Sequence, residues 1–413
     1  MNREFLMKLP QQFAFGLSVL ALSLSAMAAG AHAPKPDPLQ GDGRVSAFYT
    51  WQEVIPSTPG KLLRSEPLEK TLSLPNAASA QRILYSSTDG IDNKTPIVVS
   101  GTLFLPKGKA PAGGWPVASW GHGTVGVADV CAPSWQGRSY RDVQYLSRWL
   151  DEGYAIVATD YQGLGVPGGH PLLNNRMAAY GILDAARAVV AGVPGLANKV
   201  LIVGQSQGGA GAFASAAYAP TYAPDLGVKG SIGTGVIYTV GAKNVGEQDP
   251  DKVDASLAYG FYTLLAAQQY DAGINPRDFY TDKALPLFEQ ARTSCLAALV
   301  SDVVGVGLTP ANAKKDYKGD QLALWQKQVS YPTLKLAQPI FIGTGAEDKT
   351  PAASTQVALM QDACKTGSVV EGHLYKGLGH SETVNASLKD SVPFAHKVIN
   401  DQPITPICSP SVQ

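Results

Sequence analysis

Three residue types that can act together on a carbonyl carbon stand in order along this chain. Ser206 lies in Gly204-Gln205-Ser206-Gln207-Gly208, at the end of the apolar run Val200 to Gly204 and before a helix of small residues. A serine on a tight strand-to-helix turn needs glycine on both sides, because the backbone passes close to its neighbours. Its hydroxyl is a poor nucleophile until a base takes the proton, so a histidine is required downstream, with an acid between the two in chain order. His373, His380 and His396 follow Ser206. His373 lies in the alternating stretch EGHLYKG and reads as structural, and His396 lies in a helical tail and reads as a surface residue. His380, in the glycine-flanked LGHSE, is the expected base. The acid is expected after the strand in PIFIGTGAEDKTP: Asp348, where the turn closes before Pro351, with Glu347 the alternative. A second reading of Asp348, as a helix cap, is compatible with that role.

Such a serine also needs donors for the negative charge that develops on the carbonyl oxygen. The backbone N–H of Gln207 is one expected donor. The other comes from the loop after an earlier strand, here Gly121 to Gly126 (GHGTVG), with Thr124 as the donor and Gly123 as the alternative. His122 precedes the acid in chain order and is read as shaping that loop.

The elements that must hold these residues can be read from the hydrophobic pattern. Arg82 to Ser86 and Pro96 to Pro106 alternate apolar and polar residues, as early antiparallel strands do. Trp115 to Trp120, Ala155 to Asp160 and Val200 to Gly204 are continuously apolar, as strands covered on both faces are. Gly230 to Gly235 and Ile340 to Gly345 read as two more. Helical patterns at Tyr140 to Gly153 and Arg176 to Gly192 alternate with them, which predicts an α/β fold of the α/β-hydrolase type, a mostly parallel sheet flanked by helices. Residues 236–337 are too long for a simple connection and carry apolar helical patterns at Ala255 to Ala267 and Leu287 to Val300. They read as a mainly helical cap. Its apolar residues Leu257, Tyr259, Phe261, Tyr262, Leu264 and Leu265 are expected in part to line an acyl-binding pocket over Ser206.

Composition narrows the function classes. The 33 Lys and Arg balance 33 Asp and Glu, with no basic block, which argues against nucleic acid or an anionic membrane surface as partner. Arg3 and Lys8, an apolar run from Phe13 to Leu24 and small residues after it have the order of a signal peptide, cleaved after Ala28 and followed by a hydrolase domain over 29–413. Ala33 to Gln40 reads as a proline-rich linker. Beyond residue 28 no apolar run has the length of a membrane span, so a secreted or periplasmic protein without a stable membrane anchor is expected. Four cysteines in an exported chain, Cys131, Cys295, Cys364 and Cys408, imply two disulfides with three possible pairings. They form no CxxC pair, so no zinc site is expected; no cofactor is expected either. Asp249, Asp251 and Asp254 lack the glycine and terminal glutamate of a calcium loop and read as a solvated loop.

Several stretches resemble the secretory lipase family, which includes cap-bearing fungal lipases and their bacterial relatives. They are TDYQGLG and MAAYGILDAARAV between Thr159 and Val189, the turn GQSQGG, and CAPS at Cys131 to Ser134. The resemblance implies the same triad, Ser206, Asp348 and His380, and a small-molecule or lipid ester as substrate beneath a helical cap. It also implies the pairings Cys131–Cys295, tying cap to core, and Cys364–Cys408, tying down the tail. Fungal members carry an acidic residue where this chain has GHGT. Two other functions fit parts of the pattern. A serine peptidase of this fold would commonly carry a large N-terminal propeller, for which the stretch before Ser206 is short. A non-catalytic binding protein on the same scaffold would commonly have lost a triad member, and all three are present.

Overall fold

The computed structural model of the chain describes residues 30–239 and 249–413. The signal peptide expected at residues 1–28 lies outside the described residues.

The described residues build one nine-stranded sheet: β1 (Leu62–Pro67), β2 (Ala77–Thr88), β3 (Pro96–Pro106), β4 (Trp115–Gly121), β5 (Ala155–Thr159), β6 (Leu196–Gln205), β7 (Val228–Thr234), β8 (Ile340–Gly345) and β9 (Val370–Tyr375). Their order across the sheet is β1-β2-β3-β5-β4-β6-β7-β8-β9. β1, β2, β3 and β5 pair antiparallel in succession, and every pairing from β5 through β4 to β9 is parallel. All of β5 and β8 is buried, which accounts for their unbroken apolar sequences.

Alternation along the central strands divides the core into two layers. Trp120, Leu201 and Val203 face one side, where Tyr145 and Trp149 of the helix Tyr140–Asp151 and Phe394 of the helix Leu388–Ile399 cover them. Val117, Val200 and Ile202 face the other, under Ile182 and Val189 of the helix Asn175–Gly192 and Ala212 of the helix Gln207–Tyr222. This period of two is what makes a sheet with helices on both faces from one sequence.

Between β7 and β8 lies a helical insertion containing the helices Leu257–Gln268, Leu285–Ala291 and Leu296–Val306. The helical pattern read continuously from Leu287 to Val300 is broken, because the chain turns at residues 292–295 and Cys295 caps the third helix. Phe261 and Leu264 are buried together with Tyr280, Phe288 and Leu299 in a hydrophobic cluster formed mostly by the insertion and completed by Val127 and Leu172 of the sheet domain. The expectation that these two line a pocket over Ser206 is therefore corrected: a helix apolar on most sides has spent those faces on its own core. Residues 33–40 are not a free linker either. Arg292 Nη1 donates to the Leu39 carbonyl, and the amides of Asp37 and Gly168 both bond the Asp42 carboxylate, holding the segment on the domain.

The disulfides are Cys131–Cys295 and Cys364–Cys408. The first joins the segment after β4 to the insertion, and the second joins the helix Ala353–Lys365 to the C-terminal tail.

Candidate active site

Parallel strands deliver their following loops to one edge of the sheet, where ligand sites of open α/β sheets form. Ser206 follows β6, Thr124 follows β4, Asp348 follows β8 and His380 follows β9. All four sequence-predicted segments thus meet at one end.

Ser206 has φ 59° and ψ −119°, a left-handed backbone forced by the turn from β6 into the helix Gln207–Tyr222. Its N–H is held by the Thr234 carbonyl at the end of β7, 2.8 Å away. The flanking glycines are sterically required. A Cβ at Gly204 would run into the Gly208 carbonyl, and one at Gly208 into the Gly121 carbonyl. Gln207 opens the helix, so its N–H has no intrahelical acceptor. Among the described residues, neither this N–H nor that of Thr124 is taken by another group. Gly123 packs its α-carbon side against Gln205 and Ser206, which brings the GHGT loop beside the serine.

Asp348 is buried, and its Oδ2 accepts from His380 Nδ1 at 2.8 Å and from Gln356 Nε2 at 2.9 Å. Oδ1 accepts the Thr350 amide. Glu347 is exposed, and among the described residues its carboxylate has no hydrogen-bond partner. His380 Nε2 accepts a hydrogen bond of 3.0 Å from the Gln205 amide, and Arg141 Nη2 donates to Gln205 Oε1 at 3.0 Å. Because arginine can only donate, the Gln205 amide nitrogen must be the group facing His380. His380 then carries its proton on Nδ1, toward Asp348, and presents a lone pair at Nε2, the tautomer a general base needs. Among the described residues the Ser206 hydroxyl is not hydrogen-bonded to His380, so Gln205 holds the position that the serine must take.

Among the described residues, none of the other candidate histidines is hydrogen-bonded to Asp348 or Ser206. His373 of β9 stacks on Phe341 of β8 and on Tyr375, and bonds Glu371. His396 lies on the helix Leu388–Ile399 and bonds Glu152. His122 is buried under the GHGT loop, with Nδ1 2.6 Å from the Gly123 carbonyl. Burial pulls its pKa below the usual histidine range against the opposing pull of the Gly123 and Asp160 carbonyls at its two ring nitrogens, and the ring serves the loop. Tyr161 supports the same loop, its hydroxyl donating to the His122 carbonyl at 3.0 Å. Asp249 and Asp254 each cap a nearby backbone amide in their loop.

Ser206, His380, Gly123 and Thr124 open into a cavity of about 530 Å³ whose walls include Tyr259, Leu296 and Ala297 of the insertion and Arg141 of the domain. Pro133 of CAPS is in its wall, and the motifs CAPS and TDY are bonded to each other. Asp160 Oδ1 accepts the Ser134 amide at 2.9 Å, and its Oδ2 accepts the hydroxyls of Ser100 and Ser134. Arg141, Gln205, Gln356 and His170 were missed by sequence reasoning. Only the Gln205 and Gln207 positions carried a signal, since both variable positions of GxSxG flank the reactive residue.

The model of a family described as secretory lipases matches residues 139–389, more than half of the chain. This chain belongs to the secretory lipase family. A probable inactive lipase of Mycobacterium tuberculosis is 27% identical over 190 residues, covering 43% of this chain and 41% of that protein. A probable trichothecene esterase of Stachybotrys chartarum is 28% identical over 203 residues, covering 44% and 40%. The matches therefore span about two fifths of these curated relatives. Among solved structures, lipase A of Candida antarctica in its closed state superposes with a TM-score of 0.69 at 19% identity, over 89% of both chains. The rice cell wall degrading esterase of Xanthomonas oryzae gives 0.65 at 19% identity, over 84% of this chain and all of the other. The fold is thus that of lipase and esterase structures, and the family is one of carboxylic ester hydrolases. Since one relative is described as inactive, activity in this chain rests on its own residues.

Proposed function

We propose that this protein is an exported serine hydrolase that cleaves carboxylic esters through an acyl-enzyme. The observation that carries the reading is the 2.8 Å contact of Asp348 with His380 Nδ1, which leaves Nε2 as a lone-pair acceptor beside the strained Ser206 turn. Substrate entry must first turn the Gln205 amide away from Nε2. The Ser206 hydroxyl then gives its proton to Nε2 as its oxygen bonds to the ester carbonyl carbon. The carbonyl oxygen becomes an oxyanion held by the N–H groups of Gln207 and Thr124. Collapse of the tetrahedral species breaks the bond to the alcohol oxygen, which leaves with the proton from His380. Water repeats the sequence: His380 takes its proton, the acyl group moves to the water oxygen, and Ser206 recovers its hydrogen. Asp348, held by Gln356, fixes the ring and stabilises the imidazolium formed in each half.

The wall formed by Tyr259, Leu296 and Ala297 supports an apolar acyl or alcohol part, a small-molecule or lipid ester beneath a cap formed by the insertion. Export is supported by the two disulfides and the secretory family. The test is hydrolysis of p-nitrophenyl esters of rising chain length by wild type and Ser206→Ala, together with fluorophosphonate labelling. Loss of turnover by several orders of magnitude and of labelling in the variant is expected. Retention of more than a few per cent of activity overturns the assignment.

A further inference from the structure

Behind the two oxyanion donors lies a side chain that the mechanism above does not use. His170 is buried in the loop between β5 and the helix Asn175–Gly192. Its Nδ1 is 2.7 Å from the Gln162 carbonyl, and its Nε2 is 3.1 Å from Nε2 of Gln207. At the other end of the Gln207 side chain, Oε1 accepts the Thr124 hydroxyl at 3.2 Å.

The directions of these hydrogen bonds follow from one another. A carbonyl only accepts, so His170 must carry its proton on Nδ1. A neutral ring then offers a lone pair at Nε2, and the Gln207 amide must turn its N–H₂ end to it. That leaves Oε1 facing Thr124, whose hydroxyl donates. Burial supports this state by pushing the His170 pKa down to about 4, so the ring is neutral at ordinary pH. The chain of bonds joins three loops from three strands: the one after β5, the nucleophile turn after β6 and the GHGT loop after β4. The residues at its end, Gln207 and Thr124, are the two that supply oxyanion donors.

We infer that His170 is a positioning residue for the oxyanion hole, setting the distance between the Gln207 and Thr124 backbone donors through the Gln207 side chain. The inference rests on the ester-hydrolase reading above. An oxyanion site works because its dipoles are in place before charge develops. Freeing the Gln207 side chain lets the GHGT loop drift relative to the nucleophile turn, and a displacement of about 1 Å at such a site costs about 10²-fold. The ground-state ester makes little use of these donors, so the loss belongs in kcat.

The test compares His170→Leu, which removes the acceptor, with His170→Gln, whose Oε1 can accept the same Gln207 N–H. His170→Leu should lower kcat on p-nitrophenyl butyrate about 10-fold to 100-fold with KM nearly unchanged. Affinity for a trifluoromethyl ketone, which forms an oxyanion on Ser206, should fall in parallel. His170→Gln should recover most of both. Gln207→Met, which leaves the His170 loop untouched, provides the same kcat-only loss if His170→Leu does not fold. The inference is overturned if His170→Leu and His170→Gln are equally impaired, if the loss lies in KM, or if ketone affinity is unchanged. Ser206→Ala run alongside separates the two levels. An inactive Ser206→Ala with fully active His170 and Gln207 variants sinks the positioning role alone, whereas an active Ser206→Ala sinks the serine mechanism and the positioning role with it.

Discussion

Removing the disulfide Cys131–Cys295 should impair catalysis in a way that removing Cys364–Cys408 does not. The two bridges span 164 and 44 residues. In the chain-entropy treatment their constraint on the unfolded chain is worth about 5 and about 4 kcal/mol, as upper estimates. A difference of about 1 kcal/mol is too small to tell the bridges apart by stability, given the scatter of such values. Their surroundings differ far more. Cys131 closes the turn Asp129–Cys131, a Cβ on Gly126 would touch its sulfur, and the Leu296 amide donates to the Val125 carbonyl at 2.7 Å. The bridge therefore clamps the insertion to the residues directly after Thr124. The other bridge ties down the C-terminal tail, which makes two isolated bridges to β9 at Glu371 and Leu374, away from the donors. In Cys131→Ser/Cys295→Ser, kcat should fall at least about tenfold under conditions where the protein is still folded, since misplaced catalytic groups cost rate before they cost structure. In Cys364→Ser/Cys408→Ser, kcat should be unchanged while stability drops by a few kcal/mol. Urea unfolding followed by tryptophan fluorescence, paired with ester turnover at each urea concentration, reads both quantities. Equal loss of kcat in the two double variants, or none in the first, would refute the reasoning.

Five further outcomes follow from the geometry. His380→Ala should be as damaging to ester turnover as Ser206→Ala, with His373→Ala and His396→Ala active, and the reverse ranking would move the base. Asp348→Asn should cut turnover by up to about 10⁴-fold, with exposed Glu347→Gln close to wild type. Ala297→Trp, on the cavity wall, should lower kcat/KM for long acyl esters at least about tenfold more than for acetate, a selectivity within reach of an apolar pocket. Phe261→Asp should instead destabilise by several kcal/mol, because it places a charge in the insertion's core, and thermal melts distinguish the two. Lastly, His170 titrates near pH 4 when folded against an ordinary 6.5, so the stability it contributes is complete above pH 6.5 and is lost as pH falls toward 4. Asp129 and Asp184, raised by burial to about 7 and about 6, work in the opposite sense and gain protons in the folded state over the same range. The His170 share is isolated by difference: relative to His170→Leu, wild type should lose about 3 kcal/mol of unfolding free energy between pH 7 and pH 4. A constant gap would mean that the ring is not held neutral.

The parts of this protein that could be read from sequence are those whose physics is local. A strand ending in GQSQG before a run of small residues announces its turn, since only glycine survives at Gly204 and Gly208. The covered strands announce themselves by unbroken apolar runs. What escaped reading depended on partners distant along the chain. β1 is a half-buried edge strand, and its LLRSEP has neither alternation nor an apolar run. Phe261 and Leu264 are apolar whether they line a pocket or fill a core, and only the packing of three helices decides which. Gln205, Gln356, Arg141 and His170 act through hydrogen bonds that cross between loops, and a single polar residue in a loop leaves no periodic trace.

The order in which the site's pieces occur along the chain also has a bearing on time. Thr124, Ser206, Asp348 and His380 hang from β4, β6, β8 and β9, and β9 lies at the far edge of the sheet and pairs only with β8 among the described strands. Parallel pairing of this kind joins distant segments and is slow to complete. Without β9 docked on β8, the chain holds the serine and the acid but not the base. Hydrolysis therefore requires that pairing, whatever else of the sheet has formed. If β9 docks after the core, regain of ester turnover on dilution from denaturant should trail the recovery of tryptophan fluorescence.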